Sequence, residues 1–134
     1  MKKILIHSLT FPPDTISTGM IVSEIADGLN KELNNIEVLA SSPQYNLKSA
    51  QEYNQNDKNI SVGMFKGIKV HYIESNPRQF SNSSRFFQWL GFNFKAIRFI
   101  YKNRKDYKEI LIFSYPPTMN LVCIFTTKIL KINT

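Results

Sequence analysis

The sequence predicts an α/β fold in which helices cover a mostly parallel sheet, and three observations lead to it. Residues 3–9 form a short, continuous aliphatic run closed by Pro12 and Pro13, which is typical of a strand buried on both faces. Residues 20–33 follow with apolar positions at helical spacing. Strand and helix patterns then alternate to the end of the chain. One domain spanning residues 1–134 is expected, because this length can enclose one core of moderate size.

The next elements follow in order after this first strand and helix. Residues 36–40 predict a second strand, which is reached through Asn34 and Asn35, a pair that suits a helix end and a tight turn. Residues 41–67 are polar and rich in Asn, Gln and Lys, so we expect a long surface loop that contributes little to the core. Residues 68–73 alternate between apolar and polar side chains and predict a third strand.

The second half of the chain repeats the alternation. Residues 84–105 predict a helix, residues 109–113 a fourth strand, and residues 118–130 an apolar third helix. The order β-α-β-loop-β-α-β-α favours a mostly parallel sheet with flanking helices. Only residues 132–134 remain, which are too few to cross back and pair beside the fourth strand. A piece of a longer protein is therefore favoured over a minimal four-stranded domain.

Composition and charge limit the classes of partner. The net charge of +7 and a pI near 9.6 favour an anionic partner: nucleic acid, a phosphorylated small molecule or an acidic membrane surface. Cys123 is the only cysteine, and its apolar neighbours favour a buried, inert thiol. No apolar stretch approaches the roughly 18 residues needed to span a bilayer, and the start of the chain lacks the cleavage site of a signal peptide.

Few side chains suggest catalysis by themselves. His7 and His71 lie inside strand patterns, where a structural role is favoured over general-base chemistry. The only carboxylates near the predicted ligand crevice are Asp14 and Glu24, for which a solvated or capping role is favoured. The five glycines do not form a dinucleotide fingerprint or a P-loop, and no metal-ligand cluster is present in the sequence. No metal and no cofactor are expected.

The loop after the first strand is the first candidate binding site. In parallel α/β sheets, ligands bind beyond the carboxyl ends of the strands, where this loop is predicted to lie. The start of the following helix, Ser17, Thr18 and Gly19, would offer free amides and a partial positive charge to a diphosphate. Alternatively, Ser17 or Thr18 only caps the helix and the prolines only end the strand, which requires no ligand. The local sequence leaves both interpretations open.

The second helix is the other informative segment. Five apolar residues share one stripe: Phe86, Leu90, Phe94, Ile97 and Tyr101. We expect this stripe to pack on the sheet. Three basic residues and two bordering rings lie on a different side: Lys95, Arg98, Lys102, Phe92 and Phe99. Basic groups beside exposed aromatic rings suit a helix that lies in a membrane interface and contacts anionic lipid. Alternatively, these rings pack on another lobe or a neighbouring loop.

Several short motifs follow one another in a recognisable order: Lys-Ile-Leu-Ile at 3–6, Phe-Pro-Pro-Asp at 11–14, Gly19 before a helix with Glu24 and Leu29, Val38-Leu39 leading into Ser-Ser-Pro-Gln-Tyr-Asn at 41–46, Gly-Ile-Lys-Val at 67–70, Arg78, and Ser-Tyr-Pro-Pro at 114–117. In this order they resemble the N-terminal half of GT-B glycosyltransferases. The closest likeness is to family 4 (group 1) enzymes that build bacterial surface polysaccharides. The likeness covers essentially the whole chain.

The resemblance implies a Rossmann-like acceptor-side lobe of a two-lobed enzyme that moves a sugar from a nucleotide-sugar donor to an acceptor, without a metal. In that family a C-terminal lobe holds most of the donor nucleotide, and a histidine later in the N-terminal lobe lies near the transferred sugar. This sequence contains neither, so we expect the chain alone to be inactive. It also departs from the family after Pro12 and Pro13, where paired glycines are common and only Gly19 stands.

Site residues carry over as expectations. Ser17, Thr18 and Gly19 would face the donor phosphates, and four residues would contact the acceptor: Asp14, Tyr45, Asn46 and Arg78. Because the family's acceptor is often a lipid-linked saccharide, the resemblance implies a cytoplasmic protein at the inner face of the cell membrane. The rival interpretation is a non-enzymatic basic module that binds anionic lipid or nucleic acid. Nucleic acid is the weaker choice, since the aromatic residues follow a helical stripe and no RNA-binding motif is recognisable.

Overall fold

The computed structural model describes residues 2–12, 17–42, 54–57, 60–74, 82–113 and 117–133. Its elements, in chain order, are β1 (Lys3–His7), α1 (Ser17–Leu33), β2 (Ile36–Ser41), β3 (Asn54–Asp57), β4 (Ile60–Phe65), β5 (Ile68–Ile73), α2 (Asn82–Lys102), β6 (Tyr107–Ile112) and α3 (Met119–Ile124), which continues into a π-helical turn, Phe125–Ile129. The predicted α/β class and the alternation of strands and helices are confirmed.

The described strands form one sheet in the order β3-β4-β5-β2-β1-β6. The four strands β5, β2, β1 and β6 run parallel, and β4 and β3 extend the sheet antiparallel to them. In the register of the parallel part, Leu5 lies opposite Glu37 on one side and opposite Ile110 on the other. The sheet is therefore Rossmann-like and mostly parallel, as predicted.

Helices cover both faces of this sheet. Val22 and Ala26 of α1 pack with Ile6, Val38 and Val70 on one face. The other face is covered by α2 and α3, whose buried residues pack with strand side chains: Leu5, Leu39, Ile73, Phe92, Ala96, Phe99, Ile100, Tyr107, Ile110, Met119 and Val122. Burial on both faces explains why β1 is a continuous apolar run in the sequence.

The prediction that residues 41–67 form only a loop was wrong for its second part. Residues 60–65 form β4, which pairs antiparallel with β5 through a tight turn at Lys66 and Gly67. Both turn residues have positive φ, 48° and 79°, as a two-residue hairpin turn requires, and glycine accommodates the second without strain. The polar composition of the region concealed the apolar and polar alternation of β4.

The face of α2 that packs on the sheet was also predicted wrongly. The buried residues are Phe92, Asn93, Ala96, Phe99 and Ile100, whereas Phe86, Phe94 and Tyr101 of the predicted core stripe are exposed. Apolar residues occur around most of this helix, so their spacing alone does not single out one face. The small side chain of Ala96 lies at the centre of the buried face and lets the helix approach the sheet.

This register overturns part of the predicted membrane contact. Phe92 is 2% exposed, and its ring stacks on His7 with centroids 5.5 Å apart. The Phe99 ring is also buried and lies 4.8 Å from the His71 ring. Because both rings belong to the core, neither contacts a membrane. Arg98 and Lys102 are exposed, as the prediction requires, whereas Lys95 is half-buried.

The outer edge of β6 has a neighbour, contrary to the expectation. The amide of Ile110 donates to the Asn133 carbonyl at 2.8 Å, within a single parallel bridge between Glu109 and Asn133. The chain returns quickly because Lys131 has a positive φ of 55° directly after the π-helical turn. Ile132 is buried against the core as a result.

Candidate functional site

The order of β1 and β6 in the sheet places the predicted ligand crevice at its carboxyl edge. From β1 the chain continues through α1 to β2, whereas β6 lies on the other side of β1 and is followed by α3 on the opposite face. The segments that leave these two neighbouring strands therefore diverge. This divergence is the topological switch point at which parallel α/β sheets bind ligands.

The wall of the crevice that follows β1 is held firmly. Phe11 is buried, and its ring packs edge-to-face on Phe65 with centroids 5.3 Å apart. The Tyr72 hydroxyl donates a hydrogen bond to the Pro12 carbonyl. The Ser8 hydroxyl donates to the Thr10 carbonyl at 3.0 Å. These contacts fix the direction in which the chain leaves β1 toward the start of α1.

The predicted phosphate-facing residues form the first turn of α1. Ser17 is exposed, Thr18 half-buried and Gly19 buried, and the helix begins at Ser17. The sequence placed these three residues just before a helix at 20–33, whereas the structure includes them in the helix, because α1 begins at Ser17. The proposed acceptor contacts, Asp14, Tyr45, Asn46 and Arg78, lie outside the described residues.

His7 is a buried group at the carboxyl end of β1. Its Nδ1 lies 3.1 Å from the Leu39 carbonyl, which only accepts, so Nδ1 carries the proton and Nε2 presents a lone pair. Nε2 is buried, and it has no hydrogen-bond partner among the residues that the structure describes. Burial lowers the pKa of His7 to about 4, against the opposing effect of the hydrogen bond to Leu39, and the imidazole is neutral at pH 7.

The neutral state of His7 predicts an acid-labile fold. His7 is protonated below about pH 6.5 in the unfolded chain but only below about pH 4 in the folded chain. The free energy of unfolding therefore falls as the pH drops from 6.5 to 4. The loss amounts to on the order of 3 kcal/mol. We expect His7→Leu to flatten the curve of unfolding free energy between pH 6.5 and 4 in urea titrations. An unchanged slope in His7→Leu would show that other groups cause the lability.

Two further buried polar side chains lack partners and were missed by the sequence reasoning. Within the described part of the chain, the amide oxygen and nitrogen of Asn93 and the hydroxyl of Thr118 are buried without a hydrogen-bond partner. Asn93 belongs to α2, and Thr118 directly precedes α3. In the sequence, the signal for Asn93 was its polar side chain between two aromatic residues, Phe92 and Phe94. Unpartnered buried polar groups are rare in folded proteins and often mark an unfilled polar site.

A buried ionic network lies at the opposite, amino-terminal edge of the sheet. Glu37 is almost fully buried and accepts hydrogen bonds from the Lys3 ammonium, from His71 Nε2 at 3.0 Å and from the Tyr107 hydroxyl at 2.7 Å. Burial alone would raise the pKa of Glu37, but these three hydrogen bonds outweigh it and lower the pKa to about 2. Burial and the bond to Glu37 raise the pKa of Tyr107 far above its usual range, so its hydroxyl stays a donor.

This network stabilises the fold and is remote from the crevice. It joins the first residue of β1, the first residue of β6 and the strands β2 and β5. Its signal in the sequence was a glutamate, Glu37, inside a predicted strand of otherwise apolar residues, since a carboxylate that becomes buried requires partners. Among the described residues, no three His, Cys, Asp or Glu side chains are grouped as a metal site would require.

The outer surface of α2 and α3 is the second notable feature, and we call it the α2–α3 face. Its exposed apolar side chains are Phe86, Phe87, Phe94, Tyr101, Leu121 and Ile124. The half of the chain that contains these helices is strongly basic, because residues 75–134 contain ten Lys or Arg and two acids, a net charge of +8. Residues 1–74 contain seven Lys or Arg and eight acids, a net charge of −1. The excess positive charge of the chain therefore belongs to the half that forms α2, β6 and α3.

No protein-family model matches this chain, and neither the curated proteins nor the solved structures contain a match.

Proposed function

We propose that this chain is the acceptor-side lobe of a GT-B glycosyltransferase, which transfers a sugar from a nucleotide-sugar donor to a saccharide, lipid-linked in the favoured case, during polysaccharide synthesis. One observation carries the proposal. Two aromatic-Pro-Pro segments, at 11–13 and 115–117, follow β1 and β6, which are neighbours in the sheet at the switch point. In the sequence, both motifs therefore follow strands that end at the edge where such folds bind ligands.

The proposed chemistry divides between charge and hydrogen bonding. The free amides at the start of α1, around Ser17, Thr18 and Gly19, would hold a donor diphosphate with the positive end of the helix dipole. Asp14 would accept hydrogen bonds from acceptor hydroxyls, and Arg78 would donate them. A second lobe would supply the remaining contacts to the nucleotide. Transfer would then depend on both lobes closing around the two substrates.

We expect Thr18→Glu to abolish diphosphate binding without harming the fold. A carboxylate in the first turn repels phosphate. It also interacts favourably with the positive end of the helix dipole, which stabilises α1 by about 0.3–1 kcal/mol. In NMR titrations with pyrophosphate and with UDP, the amide signals of Ser17, Thr18 and Gly19 should shift in the wild-type chain. The same titrations should leave them unmoved in Thr18→Glu.

Ser83→Glu is the matched control, because it places the same charge in the first turn of a different helix, α2. This variant should bind pyrophosphate like the wild type. Shifts that are absent in the wild-type chain, or that follow the lysines of the surface and persist in Thr18→Glu, would contradict the proposal. The non-enzymatic binding module would then be the better interpretation.

A further inference from the structure

We propose that the α2–α3 face docks on an anionic lipid surface, with the rings of α2 inserted among the headgroups. The inference stands apart from the crevice and from sugar transfer, because none of its residues lies in the first turn of α1. It rests on the exposure of the rings, on the distribution of charge and on the contrast with the opposite face of the molecule.

Three rings form a continuous exposed stripe along α2. Phe87, Phe94 and Tyr101 are 69%, 70% and 52% exposed and follow one another at intervals of seven residues. Seven residues are about two helical turns, so the stripe extends roughly 20 Å along the helix. Large rings exposed to this extent cost free energy in water, and such a contiguous patch marks an interaction surface.

The adjacent helix extends the stripe into a broader surface. α3 packs against α2 on the same face of the sheet, and Leu121 and Ile124 are more than half exposed. A surface that spans two helices is wider than the groove that a single peptide helix fills. It suits a planar partner.

Charge identifies the kind of partner. Neither α2 nor residues 117–133 contain an acidic residue, while Arg98, Lys102 and Lys128 are exposed there. The Arg104 guanidinium lies 4.5 Å from the centroid of the Tyr101 ring, so positive charge also borders the end of the stripe. Aromatic rings beside Lys and Arg, without acids, are the composition of helices that lie in the interface of an anionic membrane.

The opposite face provides a contrast within the same molecule. Met20, Ile21 and Ile25 of α1 are also exposed, but the exposed carboxylate of Glu24 lies among them. Asp27 of the same helix is paired with Lys31 and Lys66. These aliphatic side chains stand beside negative charge, which anionic lipid repels. Of the two helical faces, only the α2–α3 face therefore combines rings with positive charge.

A second copy of the chain fits the α2–α3 face less well. Two such faces placed together would bring Arg98 and Lys102 of each copy close to one another, with no acid on these helices to pair with them. Neither α2 nor any other helix of the described residues has the length and hydropathy of a membrane-spanning segment. The proposed contact is a peripheral one.

The test is co-sedimentation with phosphatidylcholine vesicles and with equimolar phosphatidylcholine and phosphatidylglycerol vesicles. The wild-type chain should sediment with the mixed vesicles only, and less so in high salt. Phe87→Ser with Phe94→Ser should weaken binding to the mixed vesicles at least about tenfold, because the variant lacks the two rings whose transfer from water into the membrane favours binding. Arg98→Glu with Lys102→Glu should weaken it to a similar extent, since each basic residue near such a surface contributes about fivefold.

The controls make matched changes elsewhere. Met64→Ser removes an apolar side chain that is 69% exposed on β4, and Lys69→Glu reverses an exposed charge on β5. Both should bind like the wild type, and circular dichroism should show every variant folded. Equal binding by all variants, or no binding to mixed vesicles, overturns the proposal. So does a dimer in sedimentation velocity that Phe87→Ser with Phe94→Ser dissolves, because a second copy would then cover the face. Pyrophosphate binding at Thr18 tests the crevice independently of all these results.

Discussion

Phe92→Ala is expected to destabilise the fold by about 3–5 kcal/mol, the usual cost of removing a buried aromatic side chain. The Phe92 ring is buried between α2 and the sheet, where it stacks on His7. Phe94→Ala, two positions along the same helix, is expected to change the free energy of unfolding by no more than about 0.5 kcal/mol, because that ring is exposed. The same substitution is therefore strongly destabilising on the buried side of α2 and nearly neutral on its exposed side.

Urea unfolding of both variants measures this difference. The midpoint of Phe92→Ala should fall steeply while its m-value stays that of the wild type. The midpoint of Phe94→Ala should remain within error of the wild type. If Phe94→Ala were the destabilised variant and Phe92→Ala were not, α2 would be rotated about its axis. Both the assignment of core residues and the proposed α2–α3 face would then be wrong.

Glu37→Gln is expected to cost on the order of 3 kcal/mol at neutral pH, because the substitution removes the charge that holds Lys3, His71 and Tyr107 together. The wild-type pKa near 2, against 4.5 for an ordinary glutamate, sets the pH window. The folded chain keeps the carboxylate ionised where the unfolded chain is already protonated. Its contribution is therefore complete above about pH 4.5 and is lost as the pH falls toward 2.

Unfolding titrations at a series of pH values test this expectation. The difference in stability between wild type and Glu37→Gln should shrink as the pH falls from 4.5 to 2. Glu32→Gln is the control, since Glu32 is an exposed carboxylate near the end of α1, and it should leave the curve unchanged. A stability difference that does not depend on pH would mean that packing, rather than charge, accounts for the effect of Glu37.

Local patterns were sufficient to predict most of the fold. β1 and β2 were predicted from short apolar runs, β5 from its alternation and α1 from its helical spacing, each with turn residues at its end. The hairpin of β4 and β5 was missed, since the surrounding Asn and Lys residues outweighed its six-residue alternation. The buried face of α2 could not be predicted from spacing, because rings occupy both sides of the helix.

The candidate site could be predicted only where its residues belong to one short segment of the sequence. The first turn of α1 followed from its position after β1, and its place in the fold matches. The network of Glu37 joins residues as far apart as Lys3 and Tyr107, so it depends on the strand order, which no local pattern contains. The unpartnered side chains of His7, Asn93 and Thr118 likewise emerge only when the helices are docked on the sheet.

The position of β1 between β2 and β6 also affects how the chain is made. Leu5 must lie opposite Ile110, 105 positions later, so β1 leaves the ribosome long before its second neighbour exists. Until β6 follows, the nascent chain has β1 as an open edge, with half of its backbone hydrogen bonds unmade. Pairings over such a distance form slowly, because the intervening loop must close first. During synthesis β1 therefore stays exposed to aggregation until β6 has been translated.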